Sequence, residues 1–364
     1  MDGPWSERRL RVAERLARRS LEAWFLVPGA NLRYLTGLDA EPSERVLLVA
    51  ATAGAAGWAV VPQFEADHVR AALGEGWRII GYRDETGPEP ALARACGGFG
   101  TRAAALGAEF QAMRLMERAA VESAVPRARW QPIDAECAAG RQVKDAEEIA
   151  ATRRAAVAAR DAVAAGVRAA VAGATERDVE AACTAVLHRY RMASPFPVAV
   201  ASGPRAADPH AGTSDRVLQP GDACWIDLGA RSGGYCADVT RTVFVGGQAA
   251  DPELAAALEA VRAAQGAGIA AARAGGTAEG VDAAAREVVN AAGFGPRFTH
   301  RTGHGLGLEV HERPYLVLGN AEPLQPGMVF TVEPGAYFPG RGGIRVEDDV
   351  LVTADGVEVL TAGE

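Results

Sequence analysis

The stretch Leu218-Gln-Pro-Gly-Asp-Ala-Cys-Trp-Ile-Asp227-Leu-Gly-Ala230 recurs later in the chain as Leu324-Gln-Pro-Gly-Met-Val-Phe-Thr-Val-Glu333-Pro-Gly-Ala336. The spacing is the same in both copies, and one carboxylate replaces the other. Each copy is followed by a glycine-containing turn and a second acid, Asp238 after the first copy and Glu347 after the second. The chain therefore presents two pairs of acids on two related ribbons.

A second repeated phrase extends the duplication to the helices. Gly173-Ala-Thr-Glu-Arg-Asp-Val-Glu-Ala181 is echoed 102 residues later by Gly275-Gly-Thr-Ala-Glu-Gly-Val-Asp-Ala283, and the Leu-Gln-Pro-Gly phrases are 106 residues apart. Thr175-Glu-Arg-Asp178 is a capping box that opens one helix, and Asp251-Pro252 caps another. The sequence predicts an α+β domain of two pseudo-symmetric halves, with helices outside and strands meeting over a central cleft.

The paired acids indicate bound cations. If the first hairpin turns at the Ser232–Gly233 bond, Asp227 and Asp238 face each other on one side of the sheet. Directly opposed like charges destabilise a hairpin, and a cation between them removes the conflict. Glu333 and Glu347 are placed symmetrically about the second loop, so the same argument applies to them.

A stretch rich in histidine and glycine, Gly303-His304-Gly-Leu-Gly-Leu-Glu-Val-His311, lies between the two acid pairs. Four carboxylates and His304 suit a site for two divalent metal ions. Oxygen-rich ligation with one imidazole favours Mn²⁺, with Co²⁺ or Zn²⁺ as alternatives. The matching region of the first half, around Val198 to Ser202, contains no metal-binding side chain. One metal should therefore have a larger share of oxygen ligands than the other.

Composition narrows the class of protein. With 364 residues the chain can bury two hydrophobic cores. Its net charge of −8 does not indicate the basic surface that binds nucleic acid. Five cysteines without a C-x-x-C motif argue against a disulfide framework and for a reducing cytoplasm. The uncharged run from Val46 to Phe64 is broken by glycine and proline, so it predicts a strand–turn–strand and no membrane span.

The N-terminal region predicts a small α/β domain over residues 1–137, followed by a catalytic domain over residues 138–364. It opens on a charged helical pattern, which argues against a signal peptide. A new helical stretch is expected to begin at Arg141. The predicted helices and strands of the first domain are helices Arg8–Arg19 and Phe64–Leu73 and strands Trp24–Val27, Val46–Val49 and Trp58–Pro62.

Other polar residues have simpler interpretations. Asp348 and Asp349 are expected to be solvated surface acids. His68 and His188 lie in helical patterns without a partner, which favours surface or packing roles. The glycines around His304 argue against a helix and favour a backbone that bends around a ligand. No G-x-S-x-G elbow is present, which argues against serine-hydrolase chemistry.

These motifs resemble the metallopeptidase family of prolidase, aminopeptidase P and methionine aminopeptidase. The resemblance covers about residues 140 to 364 and implies the "pita-bread" fold. Asn31-Leu-Arg-Tyr-Leu-Thr-Gly37 is similar to the creatinase-like N-terminal domain of the proline-specific members. The matching motifs are Ile-Asp227-Leu-Gly-Ala, Gly-Tyr-Cys-Ala-Asp238-Val-Thr-Arg-Thr, Arg-Thr-Gly-His304-Gly, Thr-Val-Glu333-Pro-Gly and Ile-Arg-Val-Glu347-Asp-Asp.

The resemblance implies a role for each metal ligand. Asp227 would hold one metal, Asp238 and Glu347 would bridge both, and His304 and Glu333 would complete the second. Creatinase shares this fold without metals. All five ligand positions are filled in this chain, which places it with the metal-dependent members.

It also implies roles for residues around the metals. His210 and His311 match histidines that orient the substrate and stabilise the tetrahedral intermediate. His300 matches a further histidine on the substrate side. Tyr337 and Arg345 match groups beside the metal-binding acids.

The implied reaction is hydrolysis of the Xaa-Pro bond by a hydroxide that bridges two divalent metals. Glu333 would accept the proton of the water and return it to the leaving proline nitrogen. His210 and His311 would donate hydrogen bonds where negative charge develops. Because an Xaa-Pro amide has no N–H, a compact pocket for the pyrrolidine ring would set specificity.

We expect an Xaa-Pro dipeptidase, with an aminopeptidase P that acts on longer Xaa-Pro peptides as the alternative. Some prolidases place an arginine that meets the substrate carboxylate where this chain has Tyr315, and Arg313 lies nearby. In a homodimer, the loop from Gly37 to Arg45 could reach the active site of the partner, where Arg45 would capture the free carboxylate.

The sequence is also compatible with two proteins of other functional classes. One is a metal-free amidinohydrolase of the creatinase type, and the other is a non-catalytic binding protein that kept the fold. The sequence leaves open the physiological metal, the residue preferred before proline and the oligomeric state.

Overall fold

The structure, a computed structural model, describes residues 5–52, 57–99 and 103–363. The chain divides into two compact units, Met1–Arg141 and Gln142–Glu364. The domain boundary expected between residues 137 and 138 falls inside the helix Asp134–Gln142, in which the chain passes from the first unit to the second.

The first unit is a mixed α/β layer with one six-stranded sheet in the order β4-β3-β2-β1-β5-β6. The strands β1, β2 and β3 are antiparallel neighbours, while β3–β4, β1–β5 and β5–β6 pair in parallel. Its elements are α1 (Trp5–Ala17), β1 (Ala23–Leu26), α2 (Ala30–Thr36), β2 (Leu48–Ala51), β3 (Gly57–Pro62), α3 (Ala66–Leu73), β4 (Arg78–Tyr82), α4 (Glu89–Ala95), β5 (Ala105–Ala108), α5 (Leu115–Ala124), β6 (Arg129–Pro132) and α6 (Asp134–Gln142).

The predicted strands of this unit are present with small shifts. The second begins at Leu48 instead of Val46, because the backbone N–H and C=O of Val46 bond to the hydroxyl of Tyr82. The helix expected from Phe64 begins at Ala66, after a short 3₁₀ turn. The turn predicted between β2 and β3 contains residues 53–56, which lie outside the described residues.

The second unit contains two helix pairs and three small sheets, with strand orders β7-β8-β9, β11-β10-β12-β15-β16 and β13-β14. Its elements are α7 (Ala146–Ala169), α8 (Glu176–Arg189), β7 (Ala199–Ser202), β8 (Ala223–Ser232), β9 (Tyr235–Phe244), α9 (Pro252–Ala271), α10 (Ala278–Ala291), β10 (Gly303–Gly305), β11 (Glu312–Leu316), β12 (Val329–Val332), β13 (Gly335–Phe338), β14 (Gly342–Arg345), β15 (Asp348–Val352) and β16 (Val357–Val359).

The helical stretch expected from Arg141 onward begins later than predicted. Arg141 belongs to the last turn of α6, and α7 starts at Ala146. The new helix is opened by Asp145, whose side chain accepts from the backbone N–H groups of Glu147 and Glu148. This N-cap satisfies donors that the first turn would otherwise leave without a partner.

The duplication predicted from the sequence is present in the backbone hydrogen bonds. Gly173 N donates to Leu218 O (3.0 Å), and Leu218 N donates back to Ala174 O (2.8 Å). In the second half, Gly275 N donates to Leu324 O (3.0 Å), and Leu324 N donates to Gly276 O (2.8 Å). Each Leu-Gln-Pro-Gly phrase is thus fastened to the turn that precedes the second helix of its own half, and the predicted two-half α+β domain is confirmed.

The register predicted for the first hairpin is wrong. The turn is made by Gly233 and Gly234, with φ of 57° and 93°, instead of being centred on the Ser232–Gly233 bond. Two consecutive residues at positive φ match the right-handed twist of a hairpin, and glycine adopts this conformation without strain. Asp227 consequently faces Thr240, and Asp238 faces Gly229. The two acids share a face of the sheet as diagonal neighbours rather than as an opposed pair.

The second hairpin keeps its predicted symmetry. Val332 pairs with Asp348 in the β12–β15 ladder, and Gly335 pairs with Arg345 in the β13–β14 ladder. Glu333 and Glu347 lie in the gap between these two ladders. Their backbone N–H groups turn to other segments, to Thr302 O (2.7 Å) and Thr240 O (3.1 Å) respectively. The bond to Thr240 joins the second hairpin to the first.

Every helix in the described ranges is too short or too polar to cross a bilayer. The five cysteines are buried and free.

Glu109, just after β5, is a buried acid whose environment makes the stability of the first unit depend on pH. It accepts hydrogen bonds from Val27 N (2.9 Å) and Asn31 Nδ2 (2.7 Å), but burial raises its pKa from 4.5 to about 7. The folded state therefore binds this proton more tightly than the unfolded state does. Stability should fall as the pH rises from about 4.5 to about 7 and then level off.

We expect Glu109→Gln to remove this dependence, because glutamine keeps an acceptor and carries no charge. At pH 8 the variant should be more stable than the wild type by on the order of 3 kcal/mol, and the difference should vanish near pH 4. Urea unfolding followed by tryptophan fluorescence tests this, with Glu75→Gln as an exposed control. The same difference at both pH values would contradict it. Five of the six tryptophans belong to the first unit, namely Trp5, Trp24, Trp58, Trp77 and Trp130.

Candidate metal centre

A cavity of about 500 Å³ opens in the second unit beside the two hairpins. The structure brings together most of the residues that the sequence singled out, while Arg45 and Tyr337 do not line the cavity. The predicted residues that do line it are Asp227, Asp238, His304, Glu333, Glu347, His210, His300, His311 and Arg345.

Each acid is held in place by the backbone that carries it. Asp227 belongs to β8 and Asp238 to β9, whereas Glu333 directly follows β12 and Glu347 directly precedes β15. One side-chain oxygen of Asp238, one of Glu347 and a ring nitrogen of His304 lie within 4.8 Å of one another. Three groups of this kind at this separation can coordinate a single metal ion.

The hydrogen bonds of His304 show which of its ring nitrogens faces the acids. Nδ1 lies 3.2 Å from the carbonyl oxygen of Gly305, and since a carbonyl only accepts, Nδ1 carries the proton. Burial lowers the pKa of this imidazole to about 3, so the ring is neutral and Nε2 presents a lone pair. That lone pair lies 3.3 Å from Glu333 Oε1 and 3.9 Å from Asp238 Oδ2.

A lone pair facing two ionised carboxylates is repulsive unless a cation lies between them. The neighbouring oxygens give the same indication. Asp227 Oδ1 and Asp238 Oδ1 are buried and have no hydrogen-bond partner within the described residues. Buried polar atoms are normally satisfied, so two unsatisfied carboxylate oxygens on residues that line one cavity fit metal ligands. The donor set therefore suits divalent cations.

The protonation of the acids also reflects the crowding. Burial, followed by repulsion from the neighbouring acids, raises the pKa of Asp238 and of Glu347 well above the ordinary values. Burial raises the pKa of Glu333 to about 7. Without added positive charge, the folded protein would resist ionising the groups that the site brings together.

Arg345 is the arginine that the centre uses to neutralise an acid. Its Nη2 donates to Asp227 Oδ2 (2.6 Å), and its Nη1 donates to the hydroxyl oxygen of Tyr337 (2.9 Å). The guanidinium lies over the ring of Trp225 at 4.7 Å. Arg345 thus fixes Asp227 from one side and leaves Oδ1 of that acid open.

A chain of hydrogen bonds continues from Arg345 to His300. The Nδ1 of His300 lies 2.7 Å from the carbonyl oxygen of Arg301, so it must donate, and burial lowers the pKa of the ring to about 4. Nε2 then accepts from the hydroxyl of Tyr337 at 3.1 Å. Both ring nitrogens of His300 are engaged, and the predicted substrate contact by His300 stays a prediction.

His210 and His311 differ from His300 in this respect. Both are exposed at the cavity, and their ring nitrogens have no hydrogen-bond partner within the described residues. The ring of His311 packs edge-on against that of His304, with centroids 4.2 Å apart. Both histidines can therefore offer a donor to a molecule in the cavity.

The expectation that Asp348 and Asp349 are surface acids is wrong. Their exposed fractions are 8% and 0%, because β15 lies inside its sheet between β12 and β16. Asp348 accepts from Arg241 Nη2 (2.7 Å) and Gln265 Nε2 (2.8 Å). Asp349 accepts from the backbone N–H of Asp238 at 3.1 Å, so it holds a predicted ligand in place.

Glu176 was not recognised from the sequence, although it fastens the segment that carries His210. This fully buried acid accepts from the backbone N–H and hydroxyl of Ser202 (both 2.8 Å) and from the same two groups of Ser214 (2.9 and 2.6 Å). Both ends of the 202–214 segment are therefore tied to one carboxylate at the start of α8. The capping-box pattern marked this helix start but gave no sign of the long-range partners.

The second half contains a comparable acid. Asp282 in α10 is fully buried and accepts from the backbone N–H (3.2 Å) and hydroxyl (2.6 Å) of Thr302. It also pairs with Arg286 Nε at 2.8 Å. Thr302 lies between His300 and His304, so this acid fastens the segment that carries both histidines.

Arg45 lies in the first unit and is paired there. Its guanidinium donates to both carboxylate oxygens of Asp84, at 2.9 and 2.8 Å, and lies over the ring of Phe64 at 5.4 Å. A role for Arg45 in the active site of a partner copy stays a prediction.

Comparisons with known proteins agree with this architecture. The family model described as "Metallopeptidase family M24" matches residues 150–354, and the one described as "Creatinase/Prolidase N-terminal domain" matches residues 8–143. A Mycobacterium tuberculosis protein named "Probable dipeptidase PepE" is 39% identical over 349 residues, which cover 95% of this chain and 91% of that protein.

Two solved structures are similar along the whole chain. A prolidase from Thermococcus sibiricus has a TM-score of 0.91 at 30% identity and covers 100% of this chain and 98% of its own. An Xaa-Pro dipeptidase from Bacillus anthracis has a TM-score of 0.89 at 29% identity, with 99% and 98% covered. These matches confirm the predicted α+β fold class with its creatinase-like N-terminal domain.

We expect chelation to destabilise the second unit, because removal of the cations leaves the acids facing one another. Adding Mn²⁺ to the chelated protein should raise Tm. A free Mn²⁺ concentration of 100 times Kd raises the free energy of unfolding by about 2.7 kcal/mol. Asp238→Asn should melt higher than the wild type when both are metal-free, and it should gain less from Mn²⁺. Thermal unfolding with elemental analysis measures both effects, with Asp355→Asn as an exposed control. A chelated wild type as stable as the Mn²⁺-loaded protein would contradict this prediction.

We also expect Glu176→Gln to loosen the 203–214 segment. Glutamine keeps the size of the side chain but cannot accept the four bonds from Ser202 and Ser214 as well as a carboxylate does. Hydrogen exchange followed by mass spectrometry should show faster exchange in this segment and unchanged exchange around Thr302. Glu180→Gln, on the same helix, is the matched control. Equal protection in both variants would rule out this role for Glu176.

Proposed function

The chain belongs to metallopeptidase family M24, and from this premise we propose that it is an Xaa-Pro dipeptidase that uses two divalent metal ions. The observation that supports this best is a pair of buried carboxylate oxygens that have no hydrogen-bond partner within the described residues. They belong to Asp227 and Asp238, two residues that line the same cavity as His304. The substrate class follows the names of the relatives, which are a dipeptidase, a prolidase and an Xaa-Pro dipeptidase.

Five residues would hold the metal ions, namely Asp227, Asp238, His304, Glu333 and Glu347. Four carboxylates and one imidazole favour Mn²⁺, with Co²⁺ or Zn²⁺ as alternatives. When bound, such ions supply Lewis acidity, which makes water acidic enough to act as a nucleophile near neutral pH.

Glu333 is the residue that we assign to proton transfer. Glu333 lines the cavity, and its Oε1 lies 3.3 Å from His304 Nε2. Within the described residues its carboxylate accepts one long hydrogen bond, of 3.4 Å, from the hydroxyl of Thr331. A carboxylate with so few bonds of its own is available to accept the proton of the attacking water. The same group then delivers that proton to the proline nitrogen as the peptide bond breaks.

His210 and His311 would stabilise the charge that develops on the carbonyl oxygen. Both residues line the cavity, and their ring nitrogens have no partner in the part of the chain that the structure describes, so a neutral ring can donate one hydrogen bond there. Donors aimed at a developing oxyanion contribute more to the transition state than to the bound substrate. Asp227, Arg345 and Tyr337 would keep this side of the centre fixed.

The cavity also suits the leaving residue. Phe196 and Val310 give it apolar surface beside the polar ligands, and about 500 Å³ accommodates a molecule of dipeptide size. An Xaa-Pro bond has no N–H, so a site that recognises it gains from ring contact instead of from a hydrogen bond to the amide. We assign the pyrrolidine ring to these apolar side chains.

The test compares Ala-Pro, Ala-Pro-Ala and Ala-Ala as substrates of the Mn²⁺-loaded protein. We expect kcat/KM to be highest for Ala-Pro, by roughly tenfold or more over each of the others. Chelation and Glu347→Gln should both abolish hydrolysis. Faster cleavage of Ala-Pro-Ala would assign the chain to the aminopeptidase P type. Absence of hydrolysis from all three peptides would overturn the proposal, and turnover of creatine would replace it with amidinohydrolase chemistry.

A further inference from the structure

Arg301 lines the cavity but forms no hydrogen bond with the predicted metal ligands. Its guanidinium lies over the ring of Tyr315 at 4.4 Å and makes no hydrogen bond or ion pair within the described residues. The other arginine of the cavity, Arg345, is bonded to Asp227 and Tyr337. A half-buried guanidinium with five free donors beside a set of acids is unusual, because arginine at such depth normally has an acceptor.

The surrounding backbone holds Arg301 close to the reacting groups. Tyr315 pairs with His304 across β10 and β11, so the ring under the guanidinium is the neighbour of a predicted metal ligand. The carbonyl oxygen of Arg301 accepts from His300 Nδ1. The pKa of His311 is lowered mainly by burial and, second, by the positive charge of Arg301. Arg301 therefore lies within electrostatic reach of groups that we assign to the reaction.

The missing partner of Arg301 can be identified from the chemistry of the proposed substrate. In an Xaa-Pro dipeptide, the residue that leaves carries a free carboxylate next to the proline ring. In a longer peptide the same position is a neutral amide. An arginine at the cavity wall distinguishes the two, because its planar fork matches a carboxylate and gains much less from an amide.

We propose that Arg301 binds the C-terminal carboxylate of the dipeptide and thereby makes the centre selective for dipeptides. The assignment rests on the proposed Xaa-Pro activity. Tyr315 serves as the platform that holds the guanidinium by its face and leaves its donor edges open to the ligand. The specificity of the reaction is then determined by a residue that neither holds metal nor transfers a proton.

The direct test is Arg301→Gln, assayed with Ala-Pro and with its C-terminal amide, Ala-Pro-NH₂. We expect kcat/KM for Ala-Pro to fall on the order of 10- to 100-fold, mainly through KM, while kcat/KM for the amide stays nearly constant. Arg301→Lys should recover part of the preference, because it restores the charge but not the fork. Equal losses for the acid and the amide would overturn the proposal.

A matched control comes from Arg297, which also lies over an aromatic ring, that of Phe338 at 5.2 Å, but does not line the cavity. Arg297→Gln should leave the ratio of acid to amide hydrolysis unchanged. Tyr315→Phe should behave like the wild type, because it keeps the ring, and Tyr315→Ala should weaken the preference for the acid. If Tyr315→Ala keeps the wild-type ratio of acid to amide hydrolysis, the ring does not position the guanidinium, and this result would count against the proposal.

Binding of the product separates this inference from the proposed function. Calorimetry should show that L-proline binds the Mn²⁺-loaded wild type more tightly than L-prolinamide does, and that Arg301→Gln abolishes the difference. If the wild type hydrolyses no Xaa-Pro dipeptide, the proposed function fails, and the carboxylate site is still decided by this measurement. If Arg45→Ala removes the preference while Arg301→Gln keeps it, Arg45 is the carboxylate-binding residue and the proposal is wrong.

Discussion

Repulsion among four acids in one cavity is the constraint on which the second unit is built. A fold that gathers like charges must hold them in place by contacts with other parts of the chain. Three of the four are fastened through their backbone N–H groups, Asp238 to Asp349, Glu333 to Thr302 O and Glu347 to Thr240 O. Asp227 is instead held through its side chain, by Arg345. Carboxylate oxygens consequently remain open to a ligand without any loss of position.

The duplicated sequence provides the frame that makes this possible. In each half, the Leu-Gln-Pro-Gly phrase is bonded to the glycine that precedes a helix, at Gly173 and again at Gly275. A buried acid of that same helix, Glu176 or Asp282, then fastens a hydroxyl residue of the adjoining segment. These contacts involve no metal ligand, so the ribbons can be in place before any cation binds. Metal binding then relieves a repulsion that the frame has already imposed.

The sequence was sufficient to identify the acids, the duplicated halves and His304, because these depend on spacing within short motifs. Register was harder to predict. Ser232-Gly233-Gly234 permits a turn at either pair of residues, and a shift of the turn moves Asp238 from facing Asp227 to facing Gly229. Two adjacent acids, Asp348 and Asp349, looked solvated because their partners are distant in sequence. Glu176 and Arg301 were missed for the same reason, since their contacts with Ser214 and Tyr315 arise only from the tertiary structure.

The two halves share a duplicated frame but differ in charge, and this difference bears on how a peptide lies in the cavity. A centre with exact twofold symmetry would bind a peptide equally well in either direction. Arg301 and His304 have no counterpart in the matching stretch of the first half, Pro195-Phe-Pro-Val-Ala-Val-Ala-Ser202, and Cys236 stands two residues before Asp238 as Arg345 stands two before Glu347. The direction in which a peptide binds must therefore be determined by these residues, which have no counterpart in the first half. Arg345 is already neutralised by Asp227, which leaves Arg301 as the cation of the described cavity that can orient a carboxylate.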